Sequence, residues 1–367
     1  MKKELRCGFT TGACAAAGAK AAVMAYLNKT MCKEIEIYSP QGEQIIVPIK
    51  NIVKTVNGGI ATVTKDAGDD PDITDGIDII VEVKVCMNDA SIKIRGAEGI
   101  GIVTKPGLSI PVGQSAINLG PQKMIRAALS PLLEQKGCEV IISVPDGEKL
   151  AKRTLNSTLG VEGGLSIIGT SGIVRPMSEE AFKNSLAPQI SVAKALGYQN
   201  LVLVPGKIGQ EIAIHRYGFP KEAVIQTSNF IGHMLECAVQ EKIKNVILLG
   251  HLGKLVKVAA GIFHTHNRIA DARLETLAAY AGAMGAPQNA IKEILNCTTT
   301  EAAMPIITQY HVEKVYELLA ARASERAKRY VFNDLNIGTV IVTLKGDLLG
   351  MDESAKSIGG TMEWNIK

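Results

Sequence analysis

The sequence predicts two domains of mixed α and β structure: an N-terminal α+β domain and a Rossmann-like domain with a doubly wound, mainly parallel sheet. The chain has 367 residues, which exceeds the usual size of one domain. Hydrophobic residues make up 46% and charged residues 21%, as is ordinary for a globular protein with a core. After Gly163 the pattern changes from clustered strand-like runs to repeated strand, turn and helix. The expected ranges are 1–138, 139–345 and a C-terminal tail at 346–367.

Short β-rich runs separated by turn residues predict the sheet of the first domain. The runs are residues 35–38, 44–47, 60–63 and 77–83, with a hairpin turn at 41–43. Two helices flank them, an alanine-rich one from Ala13 to Leu27 and one from Pro121 to Lys136 that ends at Gly137. Grouped strands with helices at the sides are typical of an α+β domain.

Four repeats of strand, turn and helix predict the sheet of the second domain. The apolar runs are residues 165–168, 201–204, 223–225 and 246–249, and the following helices begin near Ser178, Gly209, Phe230 and Leu255. These runs do not alternate with polar residues, which indicates strands covered on both faces. Four such units in series imply a parallel sheet. Helices then dominate from 271 to 329, and residues 339–344 predict one late strand.

Composition narrows the classes of partner. Aromatic residues are only 4%, which argues against a stacking platform for single-stranded nucleic acid. The net charge of +4 is too small to indicate DNA, but it suits an acidic small molecule if basic residues converge. There is no window of 18 uninterrupted apolar residues, and residues 8–18 do not resemble a secretory signal. We therefore expect no membrane partner and a cytoplasmic location.

The cysteines predict free thiols rather than a metal or redox site. The seven lie at positions 7, 14, 32, 86, 138, 237 and 297, and no two form a Cys-x-x-Cys pair. An odd number of scattered cysteines indicates buried free thiols in a reducing compartment.

Turns at the carboxyl ends of the predicted strands are the expected ligand site. Ligands bind open parallel sheets at these ends, over helix N-termini, and glycine lets the backbone approach them closely. Three of the four turns between Leu165 and Lys254 contain glycine, and the fourth is Thr227-Ser-Asn229. The segment Gly250-His251-Leu-Gly-Lys254 is too short for a nucleotide phosphate loop, and no dinucleotide fingerprint follows a strand.

The richest polar window is residues 254–275. It contains Lys254, Lys257, His264, His266, Asn267, Arg268, Asp271, Arg273 and Glu275. Such a cluster suits a polycarboxylate ligand and supplies acids or bases. His264 and His266 with Asp271 also fit a minimal metal site, although their spacing indicates this only weakly. A polar substrate or a structural role is favoured.

Two N-terminal segments allow both a structural and a binding interpretation. The helix start Thr10-Thr11-Gly12 has a capping residue and free amides that suit an anion, but an alanine-rich core helix is favoured. The loop 66–76 holds five aspartates, which would suit calcium, yet their spacing is not that of an EF-hand. A solvated acidic loop is favoured there.

Long blocks along the chain resemble the CbiD-type cobalt-precorrin-5B (C1)-methyltransferases of anaerobic cobalamin biosynthesis. The blocks are residues 8–16, 66–72, 169–178, 250–257, 259–268 and 270–273. Departures are slight: Phe9 stands where Tyr is frequent, and Leu252 where Pro is common. Neither departure removes a charged residue from the blocks.

The resemblance implies transfer of a methyl group from S-adenosylmethionine to carbon 1 of a cobalt-containing macrocycle with many carboxylates. The protein would then need S-adenosylmethionine as co-substrate, with cobalt present only in the substrate and no metal of its own. Such a transfer is a displacement in which positioning dominates. A homo-oligomer is left open.

Together, the residues and the resemblance suggest a set of site residues. The expected base is His264, His266 or Asp271. The expected contacts of S-adenosylmethionine are Gly169, Thr170, Ser171, Gly172, Pro205, Gly206, Thr227 and Asn229. The expected contacts of the macrocycle are Thr10, Thr11, Gly12, His251, Lys254, Lys257, Arg268 and Arg273. We expect the first domain to close the cleft with its helix start.

Two other functions compete with this one. A metal-dependent hydrolase would use His264, His266 and Asp271 as ligands, and a stoichiometric zinc content would favour it. A non-catalytic tetrapyrrole carrier would use the basic cluster and would have no affinity for S-adenosylmethionine.

Overall fold

A computed structural model describes residues 5–29, 33–87, 89–134 and 136–361. The chain forms two compact units, Met1–Glu179 and Glu180–Lys367. The first unit therefore ends later than the expected boundary after residue 138. The last six residues of the expected tail, 362–367, lie outside the described residues.

The first unit contains most of the short strands. Its elements are β1 Gly8–Phe9, α1 Thr11–Tyr26, β2 Glu34–Tyr38, β3 Gln44–Pro48, β4 Asn51–Thr55, β5 Gly58–Thr64, β6 Asp78–Cys86, β7 Ile92–Gly96, β8 Ile102–Val103, α2 Leu119–Leu133, β9 Gly137–Ser143, α3 Gly147–Ala151, α4 Asn156–Leu159, β10 Val161–Glu162 and β11 Ile173–Val174. β9 pairs with both β6 and β7, so residues 137–143 belong to the sheet of the first unit. This pairing explains the later boundary.

The sheet of the first unit is five-stranded and mostly antiparallel. Its order is β4-β5-β6-β9-β7, with only β7 and β9 parallel, and β2 and β3 form a separate hairpin. The predicted strands and hairpin are confirmed, whereas β4, β7 and β9 were not predicted. The helix expected to end at Gly137 ends at Leu133 instead, and Gly137 begins β9.

Helix α1 is the centre of the first core. Thirteen of its 16 residues are buried, and it packs against β5, β6 and α2. Alanine and glycine side chains bury little area each, but they let a helix lie close to its neighbours. The favoured interpretation of this segment as a core helix is therefore confirmed.

The second unit contains the parallel sheet and most of the helices. Its elements are α5 Glu179–Leu186, α6 Pro188–Ala195, β12 Asn200–Val204, α7 Lys207–Glu211, β13 Val224–Gln226, α8 Ile231–Gln240, β14 Asn245–His251, α9 Leu252–Ala259, α10 Arg273–Ala283, α11 Gln288–Leu295, α12 Thr300–Gln309, α13 Val315–Tyr330, β15 Asn336–Val342, β16 Leu348–Met351 and α14 Glu353–Thr361. A π-helical turn at Ile212–Arg216 and a 3₁₀ turn at Lys221–Ala223 connect α7 to β13.

The strand order of this sheet is β13-β12-β14-β15-β16. The first four strands are parallel, and β16 pairs antiparallel to β15. Their apolar residues are buried along the whole of β12 and β15, as expected for strands covered on both faces. Three of the four predicted repeats and the late strand are confirmed.

The first predicted repeat is wrong. Residues 165–168 do not join the parallel sheet; Leu165 and Ile167 make isolated bridges to Ile100 and Ile117 in the first unit. Their apolar side chains fill the first core, with Ile167 fully buried. An apolar run before a glycine-rich turn fits either environment, and only the long-range pairing decides between them.

Two expectations about the whole chain can be compared with the described residues. Cys7, Cys14, Cys86, Cys138, Cys237 and Cys297 are free thiols, but Cys7 and Cys86 are exposed rather than buried, and Cys32 lies outside the described residues. Among the helices in the described ranges, none is long and apolar enough to cross a membrane.

Candidate functional site

The strand order places a crevice between the carboxyl ends of β12 and β14. The chain leaves β12 for β13 on one side and later reaches β14 on the other, so the two connections diverge at this point. Ligands bind open parallel sheets at such a switch point. We call Pro205, Gly206, Gly250 and His251, which follow or end the two strands, the switch-point crevice.

Gly206 gives this crevice an open floor. Its φ is −178°, which is extended backbone, and a Cβ added there would have no atom within 4 Å. The backbone at this position is therefore accessible to a ligand. Pro205 stands beside it, where a Cβ at Gly250 would lie 3.0 Å from its ring.

Residues that follow β13 contact both the end of β12 and the polar segment 254–275, which we call the basic window. The Thr227 side chain is buried, and its hydroxyl donates to the Val204 carbonyl oxygen at 3.3 Å, so it serves to hold two strand ends together. Asn229 instead accepts a hydrogen bond at Oδ1 from Lys254 Nζ at 2.6 Å. Of these two predicted contacts of S-adenosylmethionine, Asn229 is the one placed among the polar groups of the basic window.

Lys257 is a fully buried ammonium group whose protons are all used by its own chain. Nζ donates to the carbonyl oxygens of Thr265 at 3.1 Å and Ala270 at 2.9 Å, and to Asn267 Oδ1 at 2.7 Å. Burial lowers the pKa of Lys257 below its ordinary value. The geometry gives Lys257 the role of fixing segment 265–270 and leaves no proton for a macrocycle carboxylate.

The remaining cations of the window are more accessible. Lys254 is half-buried, and burial together with the charges of Lys257 and Arg273 lowers its pKa. Arg268 is exposed. Arg273 makes a two-point ion pair with Asp271 at 2.7 and 2.9 Å, and these bonds lower the pKa of that carboxyl. The structure thus brings Lys254, Lys257 and Arg273 within electrostatic range of one another, with the Asp271 carboxylate among them.

His264 and His266 differ in their surroundings. The backbone of His264 bridges to Phe230, and its ring lies 4.9 Å from the Phe230 ring. His266 is exposed, and its Nδ1 accepts a hydrogen bond from the backbone N–H of Arg268 at 3.1 Å. Their ring centroids are 6.4 Å apart, and the described ranges contain no group of three His, Cys, Asp or Glu residues arranged to hold a metal.

His251 has a neighbour that the sequence did not indicate. It ends β14 and precedes α9, and its Nδ1 lies 3.7 Å from Glu301 Oε1, on helix α12. Fifty residues separate the two, and no motif links them. Only the packing of α12 against α9 brings Glu301 here.

The predicted N-terminal contacts lie in the first unit and are engaged with residues 168–172. Thr11 Oγ1 bonds both the N–H and the carbonyl oxygen of Ile168, and the Gly12 N–H donates to the same oxygen. Thr10 caps α1, so the amide of Ala13 is also satisfied. Gly12 and Ala13 therefore have no free N–H for an anion at this helix start.

The turn Gly169-Thr170-Ser171-Gly172 packs against that helix start. The Thr10 N–H donates to the Gly172 carbonyl oxygen at 3.0 Å, and a Cβ at Gly169 would lie 2.2 Å from Thr10 Oγ1. Ser171 bonds within its own turn. These glycines thus permit packing in the first unit, whereas Pro205 and Gly206 belong to the second.

The aspartate-rich loop is held by internal contacts. Asp66 pairs with Arg6, the buried Lys65 donates to Asp72 at 2.8 Å, and Asp70 accepts from the Met177 N–H at 2.8 Å. Three of its carboxylates thus stabilise the chain around them. These carboxylates are bonded as well as partly exposed, with the Asp66 side chain 43% exposed.

The chain was also compared with known proteins. The CbiD family model matches residues 1–176, and the model of the CbiD C-terminal domain matches residues 264–353. A cobalt-precorrin-5B C(1)-methyltransferase of Moorella thermoacetica is 50% identical over 362 residues, covering 98% of both chains. The chain belongs to the CbiD family.

Two further relatives agree with this result. Proteins of the same name from Desulfitobacterium hafniense and Methanocaldococcus jannaschii are 46% and 44% identical, and the matches cover 96% and 95% of this chain and 91% and 97% of theirs. A crystal structure of the CbiD protein of Archaeoglobus fulgidus is 26% identical, covers 72% of this chain and 83% of its own, and has a TM-score of 0.39.

The blocks on which the CbiD resemblance was based fall into two groups in the structure. Residues 8–16, 66–72 and 169–178 contact one another within the first unit, as the Phe9 N–H bond to Asp66 and the Asp70 bond to Met177 illustrate. Residues 250–273 surround Lys257 in the second unit. The first group holds its own turns together, and the second contains the accessible cations.

Proposed function

We propose that this chain transfers a methyl group from S-adenosylmethionine to C1 of cobalt-precorrin-5B, giving cobalt-precorrin-6A in the anaerobic route to cobalamin. The observation that carries the proposal is similarity to proteins of that name over nine-tenths or more of both chains. Cobalt is part of the substrate. A cytoplasmic location remains a prediction.

We infer that the parallel sheet serves as a Rossmann-like binding domain, with the methyl donor at the switch-point crevice. The open space over Gly206 supports this position, because a ligand can approach the backbone there. Asn229 remains a candidate contact next to Lys254. Gly169, Thr170, Ser171 and Gly172 are weaker candidates, since packing against α1 accounts for the turn.

We infer that Lys254, Arg268 and Arg273 bind the carboxylates of the macrocycle. Charge-assisted hydrogen bonds to carboxylates are about twice as strong as neutral ones. Segment 265–270, which is fixed by Lys257, holds Arg268 in place and precedes Arg273 in the chain. By binding these carboxylates, the three cations orient the reacting carbon toward the methyl group, which is the main requirement of a displacement.

The test is a single-turnover incubation with isotope-labelled S-adenosylmethionine and cobalt-precorrin-5B, followed by mass spectrometry of the macrocycle. We expect the macrocycle to gain one labelled methyl group and S-adenosylhomocysteine to appear in equal amount. A macrocycle of unchanged mass, under conditions in which both ligands bind, would refute the proposal. Neither alternative function is favoured, since the relatives are named as methyltransferases.

A further inference from the structure

His251 is the titratable side chain that directly ends a central strand at the switch-point crevice. Its backbone closes β14, opposite Val342 of β15, and precedes the first turn of α9. The side chain is 31% exposed, yet Nδ1 is buried and has no hydrogen-bond partner among the described residues. The accessible part of the ring therefore lies on the opposite edge, which carries Nε2.

Glu301 gives the buried edge of this ring a partner. Its Oε1 lies 3.7 Å from Nδ1, beyond hydrogen-bond length but near enough to attract a protonated imidazole. Its Oε2 accepts a hydrogen bond from the Thr300 hydroxyl at 3.1 Å, which orients the carboxylate. A carboxylate behind a histidine is the usual arrangement for holding and stabilising an imidazolium.

The charges that face His251 come from three helices. Lys254 lies on α9, Arg273 begins α10, and Glu301 lies on α12. Burial lowers the pKa of His251, and the positive charges of Lys254 and Arg273 lower it further. The Glu301 carboxylate raises this pKa and so opposes those effects. A neutral imidazole with a free nitrogen near neutral pH is what a general base requires.

The three bases predicted from the sequence are less suited to this role. The Asp271 carboxylate is held by Arg273, which lowers its pKa. The Nδ1 lone pair of His266 already accepts a backbone N–H, so its neutral form carries the proton on Nε2. The His264 ring packs against Phe230.

We propose that His251 accepts the proton that leaves the macrocycle during methyl transfer, with Glu301 as the residue that positions it. This rests on the proposed function. The macrocycle carbon forms its bond to the methyl carbon with a π-electron pair, and the carbon–sulfur bond breaks with its pair left on sulfur. The macrocycle thereby gains the positive charge that sulfur loses. A proton passing from the macrocycle to Nε2 of His251 removes that charge, and the imidazolium later releases the proton to water.

The test compares His251→Asn and Glu301→Gln with His215→Asn. His215 is a matched control, because it also pairs with a glutamate, Glu211 at 3.0 Å, but is 74% exposed at the surface. We expect His251→Asn to slow single-turnover methylation by about 100-fold or more and to abolish the rise of the rate with pH. His215→Asn keeps the wild-type rate and pH profile.

A second readout does not depend on catalysis. The pKa of His251 is followed by NMR of its ring Cε1 proton, assigned by eliminating the signals of the other five histidines with single His→Asn variants. We expect Glu301→Gln to lower this pKa and to move the rising limb of the pH–rate profile to lower pH by the same amount. This second variant keeps the proposal testable if His251→Asn fails to fold.

The outcomes separate the two proposals. If the wild-type protein binds both ligands and transfers no methyl group, the proposed function fails and this inference fails with it. If the wild-type protein transfers the methyl group but His251→Asn keeps the wild-type rate and pH profile, only the role of His251 is refuted. If Glu301→Gln leaves the pKa of His251 unchanged, the positioning role of Glu301 is refuted.

Discussion

Replacing Lys257 with Met removes one ammonium group from the centre of the second unit and leaves three acceptors behind. Of these, Asn267 is exposed and can bond to water, and the buried Thr265 carbonyl oxygen keeps a bond from Lys254 Nζ at 3.4 Å. The half-buried Ala270 carbonyl oxygen is the acceptor that loses its partner. A buried acceptor that loses its partner costs about 1–3 kcal/mol. Met fills a similar volume and has no charge to bury, which offsets part of the loss. We therefore expect a decrease of about 1–2 kcal/mol in the free energy of unfolding.

For a unit of this size, such a decrease corresponds to a fall of roughly 2–8 °C in the unfolding temperature. Calorimetry measures that shift, and hydrogen exchange locates it. The amides of Ile269 and Ala270 donate to the His266 carbonyl oxygen, so we expect them to exchange faster in the variant. Lys328→Met is the control, because Lys328 makes one bond, to Ser354, and its loss costs less than about 1 kcal/mol. Unchanged melting and unchanged exchange in the Lys257 variant would refute this account.

Three further predictions use single side chains. Gly206→Ala keeps wild-type stability but weakens S-adenosylhomocysteine binding about tenfold or more, as measured by calorimetry. Gly360→Ala is the control, because a Cβ there also has no atom within 4 Å, and it leaves binding unchanged. Equal affinities of the two variants would place the donor elsewhere. Lys254→Met raises the dissociation constant of the macrocycle about tenfold, as measured by absorbance titration, and leaves the affinity for S-adenosylhomocysteine unchanged. A fall in both affinities would contradict a role limited to the substrate. Asp72→Ala destabilises the first unit by about 3–5 kcal/mol, measured by urea unfolding, and Lys65→Met destabilises it less. The reason is that Asp72→Ala leaves the charge of Lys65 unpaired, and Lys65 is less exposed than Asp72. A larger effect of Lys65→Met would contradict this account.

The pair of Lys65 and Asp72 also predicts a dependence on pH. Burial raises the pKa of Asp72, but the bonds from Lys65 and Thr74 outweigh it, so the pKa lies below its ordinary value. The unfolded chain therefore binds this proton more readily. The pair stabilises the protein fully above a pH of about 4, and the contribution is lost as the pH falls through the lower folded pKa.

Local patterns in the sequence predicted the elements whose identity depends on neighbours in the chain. The apolar runs before Pro205 and Gly250 are strands of the parallel sheet, and the alanine-rich segment is a core helix. Residues 165–168 share the same pattern but pair with Ile100 and Ile117, which no local property encodes. Strand pairing over such separations depends on the whole core.

The sequence predicted a window of basic residues but not how the bonds of these residues differ. The basic window is where the structure brings cations together, yet composition cannot distinguish Lys257, whose protons are all bonded, from Lys254, which is more accessible. Nor does any spacing place Glu301 beside His251, because that contact depends on how α12 packs against α9. Such contacts follow from tertiary packing rather than from a motif.

The long crossover from β14 to β15 has a consequence for engineering this protein. The two strands are adjacent and parallel, and backbone hydrogen bonds fix their register. Asn245 lies opposite Asn336 at one end, and His251 lies opposite Val342 at the other. Residues 252–335, which include segment 264–273, form the single connection between these two strands. Libraries that vary the exposed positions of this connection can therefore explore new ligands while the register of the strands stays fixed. The scaffold and the binding groups can be optimised as largely separate modules.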